Sequence, residues 1–85
     1  MTDIAVLIPC YNEAAAIAAV VRQAKAALPD ATVYVYDNAS TDKTADIAAQ
    51  AGAVVRSVLA RGKGSVVRQM FKDIDADIYI LADGD

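Results

Sequence analysis

Asp83-Gly84-Asp85 places two carboxylates either side of a glycine that lets the backbone turn, directly after the apolar run Ile78–Ala82. Hard oxygen ligands at such a place suit Mg²⁺ or Mn²⁺, which keep several waters and are completed by substrate phosphates. In isolation the triplet reads more readily as an acidic surface turn, and its position after a strand is what favours the metal. Asp37-Asn38-Ala39-Ser40-Thr41-Asp42 is a second group. The Asp37 carboxylate can accept hydrogen bonds from a base N–H or a ribose hydroxyl, and Asn38 offers both donor and acceptor. Ser40, Thr41 and Asp42 sit where a helix N-cap belongs, so they are expected to fix the loop rather than touch a ligand.

Tyr11 either stacks on a base or covers the core. Glu13 falls in a first helical turn, where a carboxylate also complements the helix dipole. Arg61-Gly62-Lys63-Gly64 forms a cationic, glycine-flanked loop suited to a diphosphate, the alternative being a solvated turn. Neither a Walker motif nor a G-x-G-x-x-G stretch is present, which disfavours a P-loop NTPase or a dinucleotide dehydrogenase. The chain has no histidine and one cysteine, Cys10, which reads as a small strand-end residue because thiol catalysis needs a nearby base. Chemistry here must rest on carboxylates, Lys, Arg, hydroxyls and a hard cation.

The elements that carry these residues follow from patterning. Ile4–Ile8 is a continuous apolar run stopped by Pro9, as in a strand buried on both faces. Ile17, Val20, Val21, Ala24 and Leu28 recur at helical spacing, predicting a helix from Glu13 to Leu28 with Asn12 as its cap and Pro29 as its end. Thr32–Tyr36 is a second strand, a short helix runs from about Lys43 to Ala51 before Gly52, and Ala53–Val58 is a third strand. Val67, Met70, Phe71 and Ile74 mark another helix, bearing Arg68 on its exposed side. Asp73, Asp75 and Asp77 read as a solvated connector into a fourth strand, Asp77–Ala82, expected to be buried on both faces.

Strands alternating with helices predict an α/β fold with a doubly wound parallel sheet, strand one being central. The loops after strands one, two and four then emerge at one carboxyl edge, where such sheets bind ligands. The 85 residues, 56% of them apolar, allow one small domain with a limited core. A net charge of -3 argues against nucleic acid and for a small partner. No apolar run approaches the ~20 residues of a membrane span and no signal peptide opens the chain, so cytoplasmic residence is expected.

Four segments taken together resemble the N-terminal half of family 2 glycosyltransferases, the group that includes dolichyl-phosphate mannosyltransferase-like enzymes. They are Ile8-Pro9-Cys10-Tyr11-Asn12-Glu13, Tyr36-Asp37-Asn38-Ala39-Ser40-Thr41-Asp42-Lys43-Thr44, Arg61-Gly62-Lys63-Gly64 and Leu81-Ala82-Asp83-Gly84-Asp85. The resemblance implies a Rossmann-like glycosyltransferase A fold that binds a UDP- or GDP-linked sugar with Mg²⁺ or Mn²⁺. By it, Pro9, Tyr11 and Glu13 line the nucleotide pocket, Asp37 and Asn38 approach the base, and Lys63 lies near the nucleotide or diphosphate. Asp83 and Asp85 become the D-x-D pair, Asp83 near ribose or a metal water and Asp85 a metal ligand. Many relatives carry Asp at the position of Asn38, leaving open which of Asp37 and Asn38 meets the base.

The resemblance further implies a place in cell envelope glycan biosynthesis. The acceptor is then a polyprenyl phosphate or a glycan, the former with association at the inner membrane face. Family members continue past the D-x-D motif into an acceptor half, so residues 1–85 are expected to hold the donor-binding portion alone. On that expectation they carry no assigned catalytic base, transfer no sugar by themselves and self-associate through an exposed sheet edge. The alternative is a non-catalytic α/β nucleotide-binding or regulatory module.

Overall fold

β1 (Ile4–Cys10) lies between two parallel neighbours, and its alternation divides the core in two. Val6, Ile8 and Cys10 face one side of the sheet; Ala5 and Leu7 face the other. The computed structural model describes residues 2–59 and 63–84. The described strands form one sheet of order β3-β2-β1-β4, all parallel, with β2 at Thr32–Asp37, β3 at Val54–Ser57 and β4 at Ile78–Leu81.

The helices α1 (Ile17–Ala27) and α2 (Thr44–Gln50) cover the first face, where Ile17, Val21 and Ala48 are buried against Val33 and Val35. On the opposite face α3 (Lys63–Asp73) buries Val66 and Met70 beside Tyr36 and Leu7. Helices on both faces make the sheet doubly wound, as the alternation of elements predicts. Among the described residues no helix is long and apolar enough to cross a membrane.

In α1 and α3 four details depart from the sequence-based expectations. α1 starts at Ile17 rather than Glu13, after a turn in which the Glu13 carbonyl accepts from the Ala16 and Ile17 amides at 3.0 and 2.9 Å. Its N-cap residue is Ala16, without a side-chain bond, because Asn12 is committed elsewhere. The buried stripe of α3 is Val66, Met70 and Ile74, not Val67, Met70, Phe71 and Ile74. Phe71 is instead 45% exposed and meets Tyr79 edge-to-face at 5.0 Å.

β4 is an edge strand rather than one buried on both faces, with Ile78 and Leu81 about half exposed, because among the described residues it pairs with β1 alone. The acids before it are not simply solvated. Asp73 closes α3 and accepts from the Tyr36 hydroxyl, and Asp77 Oδ2 accepts the Asp3 amide at 2.8 Å, fixing the entry of β4 beside β1. Asp75 is exposed as expected.

Candidate functional site

The β1–β4 ladder ends at Leu7–Leu81, with the Ala82 amide donating to the Leu7 carbonyl at 3.1 Å, whereas the β1–β2 ladder continues to Cys10–Asp37. Pro9 brings no N–H to a ladder, and pairing with β4 stops before it. The crossover direction reverses between β1 and β4, so the gap past their ends is the switch point at which doubly wound sheets bind ligands. A cavity of about 490 Å³ opens there. Such a volume lies within the range of small-ligand pockets.

The cavity draws its walls from three loops and a helix. Pro9, Cys10, Tyr11 and Glu13 come from the β1–α1 segment, Asn38 from the end of β2, Asp83 and Gly84 from the end of β4, and Val66 from α3. Five of the residues singled out in the sequence, Pro9, Tyr11, Glu13, Asn38 and Asp83, thus meet at one place. Tyr11 is 56% exposed, so it does not cover the core. Cys10 is a buried strand-end residue whose thiol packs beneath the β4 turn.

Asp37 stands apart from the lining. It is 6% exposed, and its two carboxylate oxygens accept from Ser40, Oδ2 from the amide at 3.3 Å and Oδ1 from the hydroxyl. Asn38, one residue on, reaches the cavity, its amide donating to the Cys10 carbonyl at 2.8 Å. Lys63 is the first residue of α3 rather than part of a loop. Its side chain, together with Arg61, Gly62 and Asp85, lies outside the described residues.

Gly84 is required for space rather than for turning. A Cβ built on it would stand 2.7 Å from Cys10 Sγ, 3.2 Å from Glu13 Cγ and 3.5 Å from the Pro9 carbonyl. The chain after β4 is therefore pressed onto the floor formed by the end of β1, and this close approach holds Asp83 at the cavity. Periodicity gave no sign of Cys10, Val66 and Gly84 as lining residues, because their part is to bring backbone and side chain close rather than to offer a functional group.

The β1–α1 and β2–α2 loops share a geometry. Each leaves its strand through a left-handed residue two positions past the strand end, Asn12 at φ 53° and Ala39 at φ 55°. Asn12 tolerates this region well; for Ala39 it is costly, so the surroundings must hold it. They do so through bonds between the loops: Asn12 Oδ1 accepts the Thr41 amide at 2.8 Å, and Ser40 Oγ accepts the Asn12 amide at 2.9 Å.

The N-cap residue of α2 is Lys43, without a side-chain cap bond, rather than Ser40, Thr41 or Asp42. Asp42 stands just before it, its Oδ1 accepting from the Thr44 amide at 3.0 Å and from the Thr44 hydroxyl. Its Oδ2 also accepts from the Ala14 amide at 3.3 Å. The Thr44 hydroxyl, followed by these backbone donors, holds the Asp42 carboxyl below its usual range despite some desolvation.

The family described as "Glycosyl transferase family 2" matches residues 5–85. Protein RfbJ of Shigella flexneri is 59% identical over 83 residues, which is 98% of this chain and 64% of RfbJ. Glycosyltransferase AglJ of Haloferax volcanii is 40% identical over 83 residues, 96% of this chain and 27% of AglJ. Among solved structures, glucosyl-3-phosphoglycerate synthase from Mycobacterium tuberculosis, in complex with Mn²⁺, UDP-glucose and phosphoglyceric acid, matches with a TM-score of 0.88 at 28% identity. That match covers 99% of this chain and 33% of the synthase. The chain therefore spans less than two thirds of each of these relatives. With its sheet order, its switch-point cavity and a family match over nearly its whole length, the chain belongs to glycosyltransferase family 2.

Proposed function

We propose that these 85 residues supply the donor-binding portion of a glycosyltransferase, taking a nucleoside-diphosphate sugar into the cavity at the ends of β1, β2 and β4. The observation that carries this reading is the meeting of Tyr11, Glu13, Asn38 and Asp83 in one cavity of suitable size from positions far apart in the chain. Tyr11 offers an exposed aromatic face for a base, and Asn38 a donor and an acceptor for its edge. Asp83, at the cavity wall, would accept from a ribose hydroxyl or a metal-bound water, and Asp37 holds the loop behind Asn38.

The donor set fits a hard cation. The described lining carries two carboxyl residues, Glu13 and Asp83, and no Lys or Arg, so a diphosphate entering alone would meet like charge. Mg²⁺ or Mn²⁺ is commonly held by one or two carboxylates and completed by substrate phosphates. Asp83 and Asp85 are the residues that would hold it, and when bound the ion offsets charge developing on the departing nucleoside diphosphate. The related synthase is known with Mn²⁺ and UDP-glucose and with Mg²⁺ and UDP, which supports this assignment. None of the described side chains is assigned as the base for an acceptor hydroxyl, and transfer to a glycan or a lipid-linked acceptor is part of the same proposal.

A thermal-shift panel of UDP, GDP, CDP and TDP, each with and without MnCl₂, tests the reading, since a ligand bound only by the folded state raises its stability by about 2.7 kcal/mol at a hundred times its Kd. At least one nucleotide should stabilise the chain more with Mn²⁺ than without, and Asp83→Asn should remove the metal-dependent part. A panel with no nucleotide-dependent shift would overturn the proposal.

A further inference from the structure

Three consecutive amides of the β1–α1 loop are held by side chains of the β2–α2 loop and of Thr44, the first residue of α2. Asn12 N–H donates to Ser40 Oγ at 2.9 Å, Glu13 N–H to Thr44 Oγ1 at 2.9 Å, and Ala14 N–H to Asp42 Oδ2 at 3.3 Å. Behind each of the two hydroxyls stands a carboxylate. The Ser40 hydroxyl donates to Asp37 Oδ1 and the Thr44 hydroxyl to Asp42 Oδ1.

An ionised carboxylate only accepts, so it draws the hydroxyl hydrogen to its own side and leaves the hydroxyl oxygen facing the amide as an acceptor. The result is a pair of relays of the same polarity, carboxylate to hydroxyl to amide, running from the β2–α2 loop to the β1–α1 loop. Bonds to a charged acceptor are stronger than neutral ones, and Thr44 is wholly buried although Asp42 behind it is exposed. The three amides precede α1, which starts at Ile17, so these bonds satisfy loop donors that would otherwise need water.

We propose that Asp37–Ser40 and Asp42–Thr44 are positioning pairs, which set Tyr11 and Glu13 against Asn38 and so control nucleotide affinity from outside the cavity. This rests on the donor-binding reading above. Neither hydroxyl lines the cavity, yet both bond residues within one position of Tyr11 or at Glu13 itself. The rigid attachment makes the cavity one preformed unit rather than two loops that must be ordered by the ligand, and preorganisation of that kind raises affinity.

The test uses the 85-residue chain with UDP and MnCl₂, comparing Thr44→Val, Thr44→Ser and Ser40→Ala by titration calorimetry and by residue-resolved amide exchange. Thr44→Val keeps the branched shape and removes the relay. It should speed exchange at Glu13 and weaken UDP about five- to tenfold, the worth of roughly one net hydrogen bond. Thr44→Ser should restore both. Should Thr44→Val unfold the chain, seen as fast exchange at Val6 and Val35 as well, Ser40→Ala decides, with faster exchange at Asn12 and a similar loss of affinity expected. Faster Glu13 or Asn12 exchange at unchanged UDP affinity would overturn the positioning role, as would Thr44→Ser behaving like a folded Thr44→Val. If the unsubstituted chain does not bind UDP, the titrations move to whichever of GDP, CDP and TDP it binds. Failure with all four would overturn the donor reading and the positioning role with it, while the exchange pattern separately reports whether the relays exist.

Discussion

The Tyr36 hydroxyl donates to Asp73 Oδ2 at 2.9 Å, joining β2 to the last residue of α3 on the face opposite α1 and α2. Burial, then the hydrogen bond to the Asp73 carboxylate and its negative charge, raise the Tyr36 pKa from 10.0 to about 12. The folded state therefore holds this proton more tightly than the unfolded chain. Its stabilising effect is complete below pH 10 and is lost as pH rises through about 12. Tyr36→Phe should cost about 0.5–1.5 kcal/mol at neutral pH and should flatten the decline in stability across that alkaline window, both read from urea melts. A Phe variant with the same alkaline slope as the parent would refute the linkage.

Gly84→Ala tests the contact that seats the β4 turn. The added methyl meets a buried thiol, Cys10 Sγ, at 2.7 Å, so the turn or the β1 end must move. Overpacking of this kind costs about 1–3 kcal/mol. The double variant Cys10→Ala with Gly84→Ala should recover a substantial part of that loss, because the next contacts, at 3.2 and 3.5 Å, are looser. A double-mutant cycle with no coupling between the two sites would show that the thiol is not what excludes the methyl.

What the sequence revealed and what it hid divide along a physical line. Strand runs such as Ile4–Ile8 and Thr32–Tyr36 are legible because a buried parallel strand must be apolar throughout, and their alternation with helices dictates the sheet. The convergence of Pro9, Asn38 and Asp83 followed from topology alone. The side-chain bonds did not, because one residue type serves several geometries. Asn12 reads as a helix cap but bonds the Thr41 amide across the loop, and the Asp37 carboxylate, read as a ligand contact, also holds Ser40. Helix phase was likewise ambiguous in Val66-Val67, since two adjacent valines fit two stripes and only packing against Leu7 and Tyr36 chooses between them.

Acid should loosen the inter-loop bonds before it unfolds the sheet. Asp42 has a carboxyl lowered from 3.8, chiefly by the Thr44 hydroxyl, so its contribution is present above that value and disappears as pH falls through the lower, folded-state pKa. Protonation removes an acceptor that Ala14 and Thr44 both use. Chemical shifts of the Ala14, Glu13 and Thr44 amides should therefore titrate together below pH 4, at constant shifts for Val6 and Val35. In Asp42→Ala the acid-dependent change at these three amides should vanish. Its persistence would assign the titration to another carboxylate.

The free edge of β4 gives the last prediction. Ile78 and Leu81 are 45% and 51% exposed on a strand that, among the described residues, pairs only with β1. Apolar clefts flank the strand on both faces, one reaching Val67 and Leu81, the other Val20, Ala24, Leu28 and Ile80. An apolar edge strand with unpaired backbone groups is a template for another strand, and a charged side chain is the usual means of blocking it. The 85-residue chain should therefore associate as its concentration rises, seen as a concentration-dependent mass in analytical ultracentrifugation. Leu81→Lys should shift the population to monomer while changing stability by less than about 0.5 kcal/mol, because the substituted side chain is already half in water. UDP binding by that variant should persist, since the cavity is walled by Asp83 and Gly84 beyond the strand rather than by Leu81 itself. A monomer at every concentration, or association unchanged by the lysine, would show that the β4 edge is not the interface.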